Sequence, residues 1–265
     1  MIEDKQTVII SGQNNCHISL DGPSLRIQQK DRSERRIPIR KISHISSFGN
    51  CKWEHFAILA CSDHGIPVHF CKQDGSLRAS VLPPMQNTSY IPLMELIEKT
   101  IKDRKTGEEI KQWMTNQRQG KVNECQQKIA RKYQFKFSQN ETPLEKLARK
   151  KLNNYGWKKL KKILYSLLKA DVQSMLWKDN IKFNATILEV HQLNLVEHLS
   201  YCIYCDIIPK VLNDLIPRKK HLEKPGINLE KVTSFQQKYN CQITDSYNSQ
   251  ILALHKALIE KRNER

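Results

Sequence analysis

The chain has 265 residues, which is enough for one large domain or two modest ones that bury a core without disulfides. Its 44 Lys and Arg residues against 27 Asp and Glu give a formal charge of +17, and this surplus favours an anionic partner. No window reaches the roughly 18 uncharged apolar residues of a membrane span, and the first residues lack a signal-peptide pattern. The sequence therefore predicts a cytoplasmic protein whose eight cysteines are reduced.

The N-terminal third has the pattern of a β domain. Short runs of strand-forming residues are separated by turn formers such as Asp21-Gly22-Pro23 and Asp74-Gly75. The predicted strands form a meander over residues 7–11, 16–20, 24–28, 35–39, 42–46, 66–70 and 77–81, with a short helix over 53–63. We expect this domain to cover residues 1–88 and to end at a polar, Pro-containing linker that reaches to about residue 90.

From Pro92 onward the apolar residues recur with a period of about 3.6, which is typical of amphipathic helices. Few Gly or Pro residues interrupt this pattern. The predicted helices cover residues 92–103, 106–136, 142–178, 185–216, 228–239 and 246–263. The predicted fold class is therefore α+β, with a small N-terminal β-sheet domain followed by a larger all-α domain over residues 89–265.

The positive charge is concentrated in the predicted helical domain. Residues 1–88 hold 11 basic and 8 acidic side chains, a net +3, and the remainder holds 33 and 19, a net +14. The stretch 143–162 carries eight cations against Glu145 alone, and a phosphate backbone is the ligand that such a surface favours. A membrane-surface helix fits less well, because Trp and Phe do not alternate with the basic residues on one face. A merely solvated cationic face is the other alternative.

We predict that five basic residues of the helical domain contact DNA phosphates. On a single helix, Lys151, Lys158 and Lys162 would fall on one side, with aromatic residues nearby. The complete set is Arg131, Arg149, Lys151, Lys158 and Lys162.

The order of motifs in the β domain is distinctive. Residues 37–50 read Ile-Pro-Ile-Arg-Lys-Ile-Ser-His-Ile-Ser-Ser-Phe-Gly-Asn, and a helix separates them from His-Gly-Ile-Pro-Val-His-Phe over residues 64–70. This order resembles the N-terminal domain of the CRISPR spacer-acquisition integrases, the Cas1 family. In that family the chemistry lies in the helical domain, where a Glu, a His and a later acidic residue hold a divalent metal at a DNA groove.

The resemblance implies that Glu124, His191 and Asp206 are the catalytic residues and the ligands of one Mg²⁺ or Mn²⁺ ion. Glu124 precedes an Ala-Arg-x-Tyr motif, His191 ends an apolar run, and Asp206 stands in Tyr-Cys-Asp-Ile-Ile, as in the family. A metal is suited to phosphodiester displacement because it neutralises the developing charge and orients the attacking oxygen.

Each of these candidates also has a structural interpretation. Residues 185–208 contain no Gly or Pro and predict one helix, which would hold His191 and Asp206 about 22 Å apart unless it breaks. His191 could be a semi-buried imidazole in the core, and Glu124 could lie on a solvated helix face, with Glu145 as the alternative ligand. His198, Cys202 and Cys205 share a helical face, but zinc needs a fourth ligand, which favours buried, uncoordinated thiols.

The resemblance implies a metal-dependent DNA endonuclease or integrase that binds short duplex DNA and cleaves or joins phosphodiesters during spacer acquisition. It also implies a homodimer that works with a small CRISPR adaptation partner protein, Cas2. The alternative is a non-catalytic member of the family that binds DNA or scaffolds the complex. Convergence of the three proposed ligands within about 6 Å would discriminate between the two.

Overall fold

The computed structural model describes residues 5–12, 15–30, 32–84, 92–136, 141–182, 186–215 and 229–264. They fall into two compact units. The first comprises Met1–Thr88 with Lys162–Trp177, and the second comprises Ser89–Lys161 with Lys178–Arg265. The first unit holds the strands and the second is helical, which confirms the α+β class. The predicted linker lies mainly outside the described residues, and the predicted domain bounds stay a prediction.

Eight strands, one α-helix and a 3-10 helix over Ile39–Lys41 lie in the described part of residues 1–88. The strands and the α-helix are β1 Gln6–Ser11, β2 Cys16–Asp21, β3 Ser24–Gln28, β4 Arg35–Pro38, β5 Ile42–Phe48, β6 Cys51–Trp53, α1 His55–Asp63, β7 Val68–Cys71 and β8 Leu77–Val81. The seven predicted strands are confirmed. The three-residue strand β6 was not predicted, because it directly follows the Gly-Asn turn and is too short to show an alternating pattern.

The strands form two four-stranded sheets and not the single meander that the sequence predicted. One sheet has the order β1-β5-β7-β8 and the other β4-β3-β2-β6. The β1/β5, β5/β7 and β2/β6 pairs are parallel, so their connections must cross over instead of turning back in a hairpin. The buried core includes Ile18, Leu25, Ile42, Ile45 and Cys61.

The described helices of the remaining chain include two breaks that the sequence did not predict. The helices are α2 Pro92–Thr100, α3 Arg104–Tyr133, α4 Pro143–Lys151, α5 Asn154–Lys178, α6 Thr186–Val190, α7 Leu195–Asp214, α8 Leu229–Lys238 and α9 Asn240–Asn263. The single helices predicted over 142–178 and 185–216 are therefore wrong. Among the residues described, no helix is both long enough and apolar enough to cross a membrane.

Side-chain caps explain both breaks. Leu152 is extended after α4, and the Asn153 side chain accepts a 2.6 Å hydrogen bond from the Gly156 amide to start α5. After α6, Gln192 takes a left-handed conformation with φ of 54°, and the Asn194 side chain caps α7 by accepting a 2.9 Å bond from the Glu197 amide. Asparagine caps thus begin α5 and α7, and a left-handed glutamine follows α6, at positions where no Gly or Pro stands.

The second half of α5 belongs to the first unit, and polar side chains join it to the sheet of β1, β5, β7 and β8. His44 Nε2 lies 2.9 Å from Asp171 Oδ1, and both side chains are buried. His69 is fully buried, with Nε2 2.8 Å from Ser174 Oγ and Nδ1 2.9 Å from Ser80 Oγ. Burial, with a smaller contribution from His44, lowers the pKa of His69 to about 3, so the imidazole is neutral at physiological pH.

The buried His69 should make the stability of the protein fall as the pH is lowered. The unfolded imidazole takes a proton near pH 6.5, whereas the folded one stays neutral down to about pH 3. Below pH 6.5 the free energy of unfolding should therefore lose about 1.4 kcal/mol per pH unit from this group. Urea unfolding at pH 7.5, 6.0 and 5.0 measures the slope. Gln cannot titrate, so His69→Gln should reduce the slope by the contribution of one proton, about 1.4 kcal/mol per pH unit. Equal slopes for the two proteins would contradict a neutral, buried His69.

Candidate functional site

A lysine lies between two of the predicted catalytic carboxylates in the helical unit. Helices α3 and α7 pack together and carry Lys121 and Glu124 on one side and Asp206 on the other. Lys121 Nζ is 3.1 and 3.2 Å from the two oxygens of Asp206 and 3.7 Å from Glu124 Oε2. The Lys121 side chain is only 22% exposed, so solvent screens these interactions less than it would at the surface.

The two carboxylates have further partners. Ser246 Oγ donates a 2.7 Å hydrogen bond to Asp206 Oδ2, and Lys128 Nζ lies 2.5 Å from Glu124 Oε1. The hydrogen bond from Lys128 keeps the pKa of Glu124 below its usual range. Burial alone would lower the pKa of Lys121, but the hydrogen bond and charge of Asp206, aided by Glu124, outweigh it and raise that pKa. Lys121 is therefore a firmly charged ammonium at neutral pH.

A cavity of about 200 Å³ opens beside this cluster. Its lining combines the two carboxylates with three lysines and an apolar floor. Pro209 lies inside α7 and has no amide hydrogen, so the Cys205 carbonyl lacks its usual helical partner on the cavity wall. The lining residues are Glu124, Cys125, Lys128, Ile129, Lys132, Tyr133, Cys205, Asp206, Pro209, Lys210 and Asn213.

His191 lies elsewhere in the same unit. It is buried in the turn after α6 and packs on the backbone of α3 at Gly107, where an added Cβ would overlap the imidazole. Gly107 precedes Glu124 by 17 residues on α3, which is roughly 25 Å along the helix axis. The structure therefore brings Glu124 and Asp206 together but not His191.

The three predicted ligands consequently do not fit one metal ion, although α6 and α7 are separated by the break that such a site required. A divalent ion needs its oxygen and imidazole ligands within about 2.0 to 2.6 Å. In the part of the chain that the structure describes, no three His, Cys, Asp or Glu side chains are grouped closely enough to hold a metal.

The alternative ligands also have structural roles. The Glu145 carboxylate accepts a 3.0 Å hydrogen bond from the Thr142 amide, and Thr142 Oγ1 accepts one from the Glu145 amide, which is the capping box of α4. His198 is fully buried beside Trp113, with 5.9 Å between ring centroids. Burial raises the pKa of Cys202 to about 11 and of Cys205 to about 12, so both thiols stay protonated.

The predicted DNA-contacting residues differ in their surroundings. Lys151 ends α4 and Lys158 lies on α5, so the expectation of a single helix carrying both is wrong. Neither forms an ion pair within the described residues. Arg149 Nη2, by contrast, is 3.0 Å from Glu141, and Lys162 Nζ is 2.5 Å from Asp74 within the first unit.

An exposed aromatic ring stands between the two unpaired lysines in the sequence. Tyr155 is 74% exposed, and the Lys159 ammonium lies 5.9 Å from its ring centroid. Arg131 is exposed near the C-terminal end of α3. The junction of α4 and α5 therefore offers cations and an aromatic ring to solvent, which is the combination that nucleic acids favour.

Comparison with known families decides the relationship that the β-domain motifs suggested. The family model described as CRISPR associated protein Cas1 matches residues 9–176, well over half of the chain. The chain belongs to the Cas1 family. Among curated protein sequences, none matches it.

Solved structures show the same fold at low sequence identity. A Cas1 protein from Thermotoga maritima is 13% identical with a TM-score of 0.66, covering 96% of this chain and 97% of that one. A casposase bound to an integration product is 13% identical with a TM-score of 0.68, covering 96% and 91%. A Cas6-RT-Cas1–Cas2 complex is 14% identical with a TM-score of 0.55, covering 97% of this chain and 35% of that one.

Sequence reasoning missed the residue at the centre of the Glu124 and Asp206 cluster. Lys121 precedes Glu124 by three residues, and Lys128 follows it by four, which are the spacings of charge pairs on one helix face. That pattern could have identified Glu124 as an ion-paired residue. The contacts of Lys121 with Asp206 and of Asp206 with Ser246 join distant parts of the chain, so no local signal predicts them.

Proposed function

We propose that this Cas1-family chain binds duplex DNA through the cationic junction of α4 and α5 and acts in CRISPR spacer acquisition as a DNA-binding or scaffolding member. The observation that carries the proposal is the pair Lys151 and Lys158. Both present ammonium groups that no acidic side chain in the described residues neutralises. Arg131 on α3 and Arg149 on α4 are further cations of the same unit, and Arg149 is paired with Glu141.

The electrostatics of the junction support a phosphate ligand. Residues 143–162 include eight cationic side chains, and Glu145 is the only acidic residue in this stretch of the sequence. Glu145 is already engaged in the capping box with Thr142. Cations this dense repel one another, and a DNA backbone that releases its counterions on binding would relieve the repulsion.

The proposed assembly is a homodimer that works in the cytoplasm with the small adaptation protein Cas2. Family membership supports this assembly. A structural relative in complex with Cas2, within a larger fused protein, supports it as well. Sedimentation velocity of the purified chain, alone and with its Cas2, tests both associations.

A second candidate function is DNA cleavage or strand joining with Mg²⁺ or Mn²⁺. It is favoured by Glu124 and Asp206, which line one cavity, and by the casposase relative bound to an integration product. The predicted ligand set does not fit one ion as long as His191 stays at Gly107. We therefore place binding ahead of catalysis for this chain.

Fluorescence anisotropy with a labelled duplex tests the proposal. We expect the association constant to fall by roughly a thousandfold between about 50 and 200 mM salt, as for a protein that contacts about six phosphates. An affinity that does not change with salt would contradict the proposal. A strand-joining assay with Mn²⁺ on the same preparation tests the second candidate, because joining that Asp206→Asn abolishes would favour catalysis.

A further inference from the structure

We infer that Lys121 is the resident cation of the Glu124 and Asp206 carboxylates and occupies the place where a divalent metal would otherwise bind. The inference deepens the proposed function, on which it rests, because it gives a physical reason why this family member would bind DNA without a metal centre at these residues. It concerns three side chains of one unit, on α3 and α7.

The geometry around the ammonium is that of a built charge cluster. Lys121 Nζ contacts both oxygens of Asp206 at 3.1 and 3.2 Å and lies 3.7 Å from Glu124 Oε2. Asp206 Oδ2 also accepts a 2.7 Å hydrogen bond from Ser246 Oγ, and Glu124 Oε1 lies 2.5 Å from Lys128 Nζ. A lysine has three donors and no acceptor, so it suits a position between two carboxylates.

A metal cannot share this position with the lysine. An ion bound at about 2.0 to 2.6 Å from the Asp206 oxygens would lie against the Lys121 ammonium, which is 3.1 Å from the same group. Two like charges in contact repel strongly in a partly buried site. Metal binding at Asp206 therefore requires that Lys121 leaves or loses its charge.

Among the described residues, those that line the neighbouring cavity add cations and include no histidine. Lys128, Lys132 and Lys210 line the cavity beside the cluster, and each would repel an approaching metal ion. The imidazole of His191 lies at the other end of the α3–α7 region, against Gly107. The cluster thus has a complete set of internal counter-ions.

Mn²⁺ binding to the full-length protein tests the inference, with free Mn²⁺ measured by electron paramagnetic resonance. The native chain and Asp206→Asn should bind Mn²⁺ equally weakly, because the carboxylate of the native Asp206 is already paired with the Lys121 ammonium. Lys121→Gln, which removes the charge and keeps the length, should gain a site at least about tenfold tighter than any in the native chain. Adding Asp206→Asn to Lys121→Gln should remove that site.

Lys121→Arg is the matched control, since it keeps the cation and should bind Mn²⁺ no better than the native chain. The melting temperature of Lys121→Gln should be lower than that of the native chain, and Mn²⁺ should partly restore it. The inference would be overturned if the native chain had an Mn²⁺ site that Asp206→Asn removes. The comparison of the native chain with Asp206→Asn stays valid even if Lys121→Gln fails to fold. Duplex affinity measured on the native chain reports separately whether the proposed DNA-binding function fails.

Discussion

Replacing Lys151 and Lys158 together by alanine should weaken duplex binding at 150 mM salt by roughly tenfold or more. The slope of the logarithm of the association constant against the logarithm of the salt concentration should become less steep by about two. Each lysine that contacts a phosphate releases about one counterion from the DNA, so removing two contacts removes about two units of slope. Lys151 is half-buried at the end of α4 and Lys158 is exposed in the second turn of α5, and neither has an ion-pair partner among the described residues. Anisotropy titrations at several KCl concentrations measure both quantities.

Two other lysines provide matched controls for this prediction. Lys162→Ala should change the slope little, because its ammonium already pairs with Asp74 at 2.5 Å. Lys256→Ala removes a lysine that is 78% exposed on α9 and alters the net charge by the same amount per residue. If Lys256→Ala flattens the slope as much as Lys151→Ala, the effect reflects net charge and not a localised binding surface.

Replacing His191 by alanine should lower the stability of the protein by about 2 kcal/mol and leave duplex affinity within about twofold. The imidazole is buried in the turn between α6 and α7 and fills the space above Gly107 on α3. Its loss leaves a cavity where two segments of the helical unit pack, 17 residues before Glu124 along α3. Thermal unfolding and anisotropy on the same preparation measure the two effects.

A double-mutant cycle with Gly107 makes the test specific for packing. Gly107→Ala alone drives a Cβ into the imidazole and should cost about 1 to 3 kcal/mol. Combined with His191→Ala, the new methyl group enters the vacated space, so the double variant should be more stable than the sum of the two losses implies. Strictly additive losses, or a loss of duplex affinity in His191→Ala, would show that His191 acts in another way.

The β domain could be predicted in detail because glycine and proline mark its turns. Gly49, Gly65 and Gly75 all have positive φ, the conformation in which glycine is least strained, and each follows or precedes a predicted element. What the sequence did not show is the pairing. Parallel pairs such as β1 with β5 join strands that are distant in the chain, so no tight turn between them marks the pairing in the sequence.

The helical unit was predicted less well at the helix boundaries that asparagine or glutamine forms. Asn153, Gln192 and Asn194 carry the two breaks through caps and a left-handed turn, and these residue types also occur within helices. The Glu124 and Asp206 pair was found by resemblance to a family motif. The intervening Lys121 and the distant position of His191 depend on tertiary packing of α3, which no spacing in the sequence encodes.

The β-rich unit is discontinuous in the chain, and this affects how it can form on the ribosome. Its last strand, β8, ends at Val81. The hydrogen-bond partner of the buried His69 imidazole is Ser174, which lies on α5. At about 5 to 20 residues per second, synthesis takes roughly 5 to 20 s to reach that helix after the last strand has been made. During that interval Ser174, the partner of His69, and Gln173, the partner of Ser80, have not been synthesised. The nascent sheet therefore cannot complete its buried hydrogen bonds until a segment encoded almost a hundred codons downstream has been made.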